Sequence, residues 1–470
     1  MIQTLSLSSL ATLAGGSIRG GSCQSDESQE EVQVRGVSID TRTLKSGDLF
    51  IAIKGPRFDG HAYIAQAAEA GASAALTEHY VENVEGEAIP QIVVADTRKA
   101  LGVLGAANRD AFSGVVIGVT GSCGKTSVKE MLMAVFSGQG PTLATEGNLN
   151  NALGVPLTLL RIESRHEYAV IEMGTSSPGE IAYVAGLGRP DVSLITNADE
   201  THLADLVDVQ GVAHEKGFIL DALSSGGAAV LNRDDAFYRQ WCDRVHSAGV
   251  NRVVSFSLSD ERADCYASQV VSTESGMAFV LHVGEQSLPV RLSFWGQHQV
   301  LNACCAAAVA RAQGLPLDII ASGLENARPF QRRGQRFHHT SGALLIDETY
   351  NANPRATLAA VDQLADCGGK TIMVMGDMLD LGEVSDQRHR DVGLYARERG
   401  VDHFLSLGPS ARLACEAFGK GLHFDSKPEL IDWLEPVLAK GVSVLVKGSR
   451  GMKMLDVIKA LAGPDYKGEA

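Results

Sequence analysis

The sequence has no run approaching the roughly 18 consecutive apolar residues of a membrane span, and its start, Met-Ile-Gln-Thr-Leu, carries no basic segment of the kind that opens a secretion signal. Membrane insertion is not expected, and the chain is placed in the cytoplasm. There is no CxxC pair, and the eight cysteines (Cys23, Cys123, Cys242, Cys265, Cys304, Cys305, Cys367, Cys415) follow no regular spacing. They read as reduced thiols, mostly small core residues. Positive charge is scarce overall: a formal net charge of -15 opposes nonspecific attraction to phosphate backbones. Nucleic acid is therefore not an expected partner. Internal repeats and low-complexity tracts are also missing.

What is present describes an ordinary globular chain with many turns: 470 residues, 45% of them hydrophobic, with 50 glycines. At roughly 100 to 200 residues per domain that length suggests two to four units, and the alternation of elements suggests three. Residues 1–110 read as a small α/β unit, with strands at Val34 to Asp40, Leu49 to Ile53 and Gln91 to Ala95 and helices at His61 to Ala75 and Thr97 to Asn108. Residues 111–326 read as a central domain with a mainly parallel sheet, since strands from Val115, Tyr168, Val192 and Ala228 are separated by helical lengths. Residues 327–470 repeat the alternation from Leu344 to a last helix, as a third α/β domain of Rossmann-like character. The acidic stretch at Gly20 to Glu31 reads as a solvated loop.

Chemistry enters at Val115 to Ser127, where an apolar strand runs into Gly121-Ser122-Cys123-Gly124 and then Lys125-Thr126-Ser127 at a helix start. Backbone N–H groups there point at a phosphate, the helix dipole favours an anion, Lys125 supplies charge and the Thr126 hydroxyl suits Mg²⁺. The strict GxxxxGK[ST] spacing is missed, because Val119 stands where its first glycine belongs and Gly118 is one residue early. Glu172 and His202 follow later strands, at the carboxyl edge where ligands of such sheets bind.

The variant Gly118-Val-Thr-Gly-Ser-Cys-Gly-Lys-Thr-Ser127 resembles the Mur ligase family, and downstream blocks fit in order. These are Gly147-Asn148-Leu149-Asn150-Asn151, Glu172-Met173-Gly174, Thr196-Asn197 with His202-Leu203, and Gly211-Val212-Ala213 with Lys216-Gly217. In the third domain, Asp347-Glu348-Thr349-Tyr350-Asn351-Ala352-Asn353-Pro354, Gly376-Asp377-Met378-Leu379 and Lys447-Gly448-Ser449-Arg450 resemble the members of the family that add a terminal dipeptide. The resemblance implies an ATP-dependent amide ligase of peptidoglycan precursor synthesis. It would join D-Ala-D-Ala to a UDP-MurNAc-tripeptide through an acyl phosphate, as a monomer.

The same resemblance implies the site. ATP would be held by Gly121 through Ser127 together with His298, Gln299, Asn302, Arg336, Glu348 and Tyr350, with Arg336 reaching the phosphates. Metal ligands would be Thr126, Glu172, His202 and Lys216, the last as a carbamate formed with CO₂. Lys125, Lys216, His202 and Arg336 would be catalytic. The substrates would be held by Ser38, Thr41, Arg42, Asp59, Gly60 and His61 at the UDP end, and by Asn148, Asn151, Lys447, Ser449 and Arg450. Departures from the family pattern stand at Ala204, Val207, Asp208, Phe218, Gln299, Glu348 and Leu455. Rival readings are a relative acting on another carboxylate such as folate, and a P-loop switch module working through a partner.

Overall fold

The computed structural model describes residues 1–2, 5–20, 32–56, 58–82, 89–463 and 466. Cys23 and the acidic stretch beyond Gly20 lie outside them. Three α/β sheets follow one another along the chain, and no helix among the described residues is long and apolar enough to cross a membrane.

The first sheet has five strands, Ser17–Arg19, Gln91–Val93, Ala74–Thr77, Asp48–Ile51 and Gly36–Ser38 in spatial order, parallel except at Ser17–Arg19. Two expectations change here. The Ala-rich stretch read as one helix to Ala75 is a 3₁₀ turn, Gly60–Tyr63, then a helix, Ile64–Glu69, and then a strand. Gly71, at φ 92°, ends the helical course, and Ala74–Thr77 is buried throughout as a central strand. Packing on both faces overrides alanine's helix preference. The strand expected over Val34 to Asp40 is split: Gln33–Val34 pairs with Leu5–Ser6, whereas Gly36–Ser38 joins the five-stranded sheet.

The central sheet has nine strands. Six of them, from Thr142–Ala144 at one edge through Tyr168–Glu172, Val115–Thr120, Val192–Ile195, Ala228–Asn232 and Val253–Ser257, are parallel. An antiparallel meander, Cys265–Thr273, Gly276–Val283 and Gln286–Leu292, extends the other end. That meander was not read from the sequence, although Gly276 (φ 138°) and Gly284 (φ 60°) mark its turns. Helix Gln297–Ala312, almost wholly buried, lies in one core layer with helix Lys125–Ser137. Helix Thr97–Asp110 ties the first sheet to the second: Asn108 Nδ2 donates to Leu159 O at 2.8 Å and Ile162 O at 3.0 Å.

The third sheet has six strands in the order Gln335–His338, Leu344–Glu348, Val442–Lys447, Lys370–Gly376, His403–Leu407, Leu422–Phe424, parallel except for the first. Helices cover both faces and enclose two separate apolar cores. Its carboxyl edge faces the central sheet, as the contacts of Asn353, Arg355 and Arg388 show below.

Candidate active site

Strand Val115–Thr120 ends in the loop Gly121–Gly124, and helix Lys125–Ser137 begins at once. Two of the loop glycines are required. Gly121 has φ 148°, and a Cβ there would overlap the Thr196 hydroxyl. Gly124 has φ 86°, and a Cβ would sit 2.5 Å from Asn302 Oδ1. The loop is held from below by the neighbouring strand's end: Asn197 Oδ1 accepts from Cys123 N at 2.9 Å, and Thr196 Oγ1 donates to Cys123 O at 2.5 Å. The Lys125 amine lies over the loop and donates to Gly121 O at 2.5 Å and Ser122 O at 3.3 Å.

Glu172, at the end of its strand and only 2% exposed, takes a hydrogen bond from Thr126 Oγ1 at 3.0 Å on one oxygen and from Asn150 Nδ2 at 2.8 Å on the other. Among the described residues no Lys, Arg or His forms an ion pair with it, so a buried carboxylate stands without its own cation. Thr126 and Glu172 together are hard oxygen donors of the sort Mg²⁺ prefers. No group of three or more His, Cys, Asp or Glu side chains among the described residues could hold a metal alone. A cation here fits only with substrate oxygens or water completing its shell, which is the usual habit of Mg²⁺.

His202 and Lys216 complete the neighbourhood. His202 has φ 55°, and burial, aided by Lys125 and Lys216, pushes its pKa below the usual histidine range, so its imidazole is neutral. Lys216 lies in helix Val209–Asp221, 2% exposed. Burial, with Lys125 nearby, pushes its amine down to about 7. Its neighbour Glu215 points elsewhere, accepting from Gly179 N and Ile181 N at 2.8 Å each and so capping helix Glu180–Gly188.

From the third sheet, Asn353 Nδ2 reaches Cys123 Sγ at 3.1 Å, and Arg355 Nη1 lies 3.2 Å from Asp199 Oδ2. Arg336 is not where the sequence reading put it. It lies opposite Ile346, its guanidinium 4.3 Å over the Trp295 ring and beside Cys367, with Nε buried and unpartnered among the described residues. Strand register commits it to that sheet face. Arg333, in the preceding loop and stacked 4.0 Å over Tyr350, is the arginine within electrostatic range of Lys125.

The other expected nucleotide contacts gather around the buried helix Gln297–Ala312. Asn302 donates to Gln299 Oε1 at 3.0 Å, and burial pushes His298 down to about 4. Glu348 is paired with Lys447 Nζ at 3.3 Å, and Lys447 also donates to Asn351 O at 3.0 Å. Ser449 Oγ accepts from Leu379 N at 2.8 Å, while Arg450 is exposed. Asn151 caps helix Gly154–Leu160 through Gly154 N at 2.9 Å, and its neighbour Asn150 is the one that reaches Glu172.

At the first sheet, Ser38 Oγ donates to Asp40 O at 2.9 Å, and exposed Arg42 is clamped by Asp40, Nη2 to Oδ2 at 2.5 Å, beside Thr41 in the same turn. These residues lie at or just beyond the carboxyl end of a parallel strand, with Asp59, Gly60 and His61 on the next connection. His61 is buried with both ring nitrogens engaged, Nδ1 with Asp59 at 2.6 Å and Nε2 accepting from Glu78 N at 2.9 Å. It positions this turn and has no nitrogen left for a ligand.

Three family models match successive segments: the Mur ligase family catalytic domain at residues 33–109, the Mur ligase middle domain at 119–310, and the Mur ligase glutamate ligase domain at 332–450. The UDP-N-acetylmuramoyl-tripeptide--D-alanyl-D-alanine ligase of Escherichia coli K12 is 38% identical over 460 residues, covering 97% of this chain and 98% of that protein. The solved UDP-N-acetylmuramoylalanyl-D-glutamyl-2,6-diaminopimelate--D-alanyl-D-alanyl ligase of Acinetobacter baumannii superposes with a TM-score of 0.84 at 35% identity, covering 98% of each chain. MurF ligase of Thermotoga maritima, solved with ADP, superposes at 0.80 with 28% identity, over 91% of this chain and 97% of that one.

Proposed function

The chain belongs to the Mur ligase family, and we propose that the residues around Lys125 and Glu172 carry out the ATP-dependent joining of D-Ala-D-Ala to a UDP-MurNAc-tripeptide. It is a peptide ligase of peptidoglycan precursor synthesis that binds ATP. The observation that carries the assignment of roles is Glu172: buried, in no ion pair among the described residues, and tied to Thr126 of the phosphate loop.

A carboxylate is a poor electrophile at neutral pH, so the terminal carboxylate of the tripeptide takes the γ-phosphoryl group of ATP. The dipeptide amine then attacks the acyl phosphate, and inorganic phosphate leaves with ADP as the other product. The N–H groups of Gly121 through Ser127 and the amine of Lys125 hold the phosphates, with His298, Gln299, Asn302, Glu348 and Tyr350 toward the nucleoside. Arg333 supports the phosphate role first assigned to Arg336, because it stands near Lys125. Thr126, Glu172 and His202 would hold Mg²⁺, which neutralises charge on the phosphates when bound.

Lys216 is the fourth metal-binding residue of this reading, as a carbamate. Its burial and an amine that loses its proton near pH 7 support uptake of CO₂, since only the unprotonated amine reacts. Ser38, Thr41, Arg42, Asp59 and Gly60 hold the UDP end, and Asn148, Lys447, Ser449 and Arg450 the peptide end. The stem carries a D-glutamyl residue, as in the name of the Acinetobacter baumannii neighbour. The enzyme works as a cytoplasmic monomer.

Phosphate release tests the reading. Turnover is expected only with ATP, UDP-MurNAc-tripeptide and D-Ala-D-Ala together. Turnover supported by a single amino acid, or unaffected by the dipeptide, would overturn it.

A further inference from the structure

Beside the phosphate-loop helix lies a cavity of about 870 Å³ that the roles above touch only at Asn148, Tyr350 and Arg450. One wall is the segment 141–149, and the opposite wall comes from the third domain through Phe330, Arg332, Tyr350 and Arg450. The segment includes strand Thr142–Ala144, the last of the central sheet, which pairs among the described residues only with Tyr168–Glu172. Pro141 O and Thr145 N are turned to that neighbour, accepting from Tyr168 N and donating to Val170 O. By alternation, Thr142 and Ala144 present their backbone N–H and C=O groups to the open edge, where an extended peptide pairs.

The lining is basic in a chain that is strongly acidic overall: five Lys or Arg side chains against two Glu. Lys129 is already committed to Thr145 O and Glu130. Arg161 pairs with Glu146 through Nη2, and its side chain, 37% exposed, stands at the cavity wall. A guanidinium has donors beyond the one spent on Glu146, and a second carboxylate suits them. Asn148 and Leu149 line the same cavity, and Asn150, next in sequence, holds Glu172, so the cavity adjoins the reacting centre.

We propose that this cavity holds the acidic peptide stem of the UDP-linked substrate, extended along Thr142–Ala144, with Arg161 taking a stem carboxylate that is not the one activated. Volume and charge favour the stem over the dipeptide, which is small and bears a single carboxylate. The inference rests on the ligase reading above and adds a specificity-determining residue to it.

The test compares UDP-MurNAc-tripeptide with its analogue amidated at the free D-glutamyl carboxylate, in the full-length enzyme and in Arg161→Gln. The unaltered enzyme is expected to favour the acid over the amide by about tenfold or more in kcat/KM, as for a charge-assisted hydrogen bond, and the variant to lose that preference. The ratio is measured within each protein, so partial misfolding of the variant does not alter it. KM for ATP and for D-Ala-D-Ala should hold in the variant. An unchanged acid-to-amide ratio overturns the inference, as does a rise confined to KM for ATP or the dipeptide. Absence of dipeptide-dependent turnover in the unaltered enzyme overturns the ligase reading and this inference together.

Discussion

Arg388 of the third domain grips both carboxylate oxygens of Glu200 in the central domain, Nε to Oε2 at 2.5 Å and Nη2 to Oε1 at 2.6 Å. Glu200 follows Asp199, whose backbone exchanges hydrogen bonds with the hydroxyl of Ser122 in the phosphate loop, at 3.1 and 2.9 Å. Docking of the third domain is thereby joined to the loop Gly121–Gly124 through two adjacent residues.

Arg388→Ala is expected to weaken that docking. The pair is partly exposed, so its coupling by double-mutant cycle with Glu200→Ala should be modest, about 1 kcal/mol. Steady-state kinetics should show kcat/KM falling for all three substrates together, with the double variant no worse than Arg388→Ala. A double variant reduced by the product of the two single effects would show that the residues act independently.

The glycines of the loop differ in what they tolerate. Gly121→Ala meets the Thr196 hydroxyl and Gly124→Ala meets Asn302, both at positive φ, whereas Gly147, at φ 53°, has nothing within 4 Å of an added Cβ. The first two are expected to lose ATP turnover by about a hundredfold or more, since misplacement of a phosphate cradle by about 1 Å has that scale of effect. Gly147→Ala should cost only about 1 kcal/mol of stability, from the left-handed backbone. Comparable loss of turnover at all three positions would contradict the contact geometry.

Lys216 sets a pH dependence. Its amine lies near 7 in the folded protein against an ordinary 10.5. Between those values the unfolded chain binds the proton and the native one does not, so this group's contribution to stability is lowest below about pH 7 and rises toward pH 10.5. Carbamate formation needs the neutral amine, so turnover should decline in buffer stripped of CO₂ and recover when bicarbonate is added at pH 8. With ¹³C-bicarbonate a carbamate carbon resonance should appear, and Lys216→Arg should show neither recovery nor resonance. Full activity without CO₂ would remove the carbamate from the mechanism.

Local chemistry written in contiguous residues was readable in advance. The strand, glycine and lysine order at Val115 to Ser127 matches the strand, loop and helix of the structure, and alternating strands and helices match its three α/β units. What escaped depends on partners distant in sequence. Ala74–Thr77 is a strand because it is buried between Asp48–Ile51 and Gln91–Val93, not because alanine favours one. Asn150, not singled out in the sequence, reaches Glu172, while Asn151 accepts from Gly154 N at the start of the next helix. His61 looked like a substrate residue and is a brace, since Glu78 N, seventeen positions away, takes its second nitrogen.

The arginines of Gln331-Arg332-Arg333-Gly334-Gln335-Arg336 show the same limit and allow a sharp test. The family resemblance points to Arg336, but pairing of Gln335–His338 with Leu344–Glu348 sets Arg336 against Trp295 and leaves Arg333 near Lys125. If Arg333 neutralises the transferring phosphoryl group, Arg333→Ala should lower kcat by about a hundredfold or more, the scale of losing a donor aimed at developing charge. Arg336→Ala should instead lower the midpoint of thermal unfolding, because the guanidinium stacks on Trp295 at the junction of two domains, with kcat far less affected. Lysine at position 333 keeps the charge without the fork and should recover part of the rate. The reverse pattern, with kcat lost in Arg336→Ala and kept in Arg333→Ala, would mean that the reacting state repacks this strand so that Arg336 turns toward the phosphates.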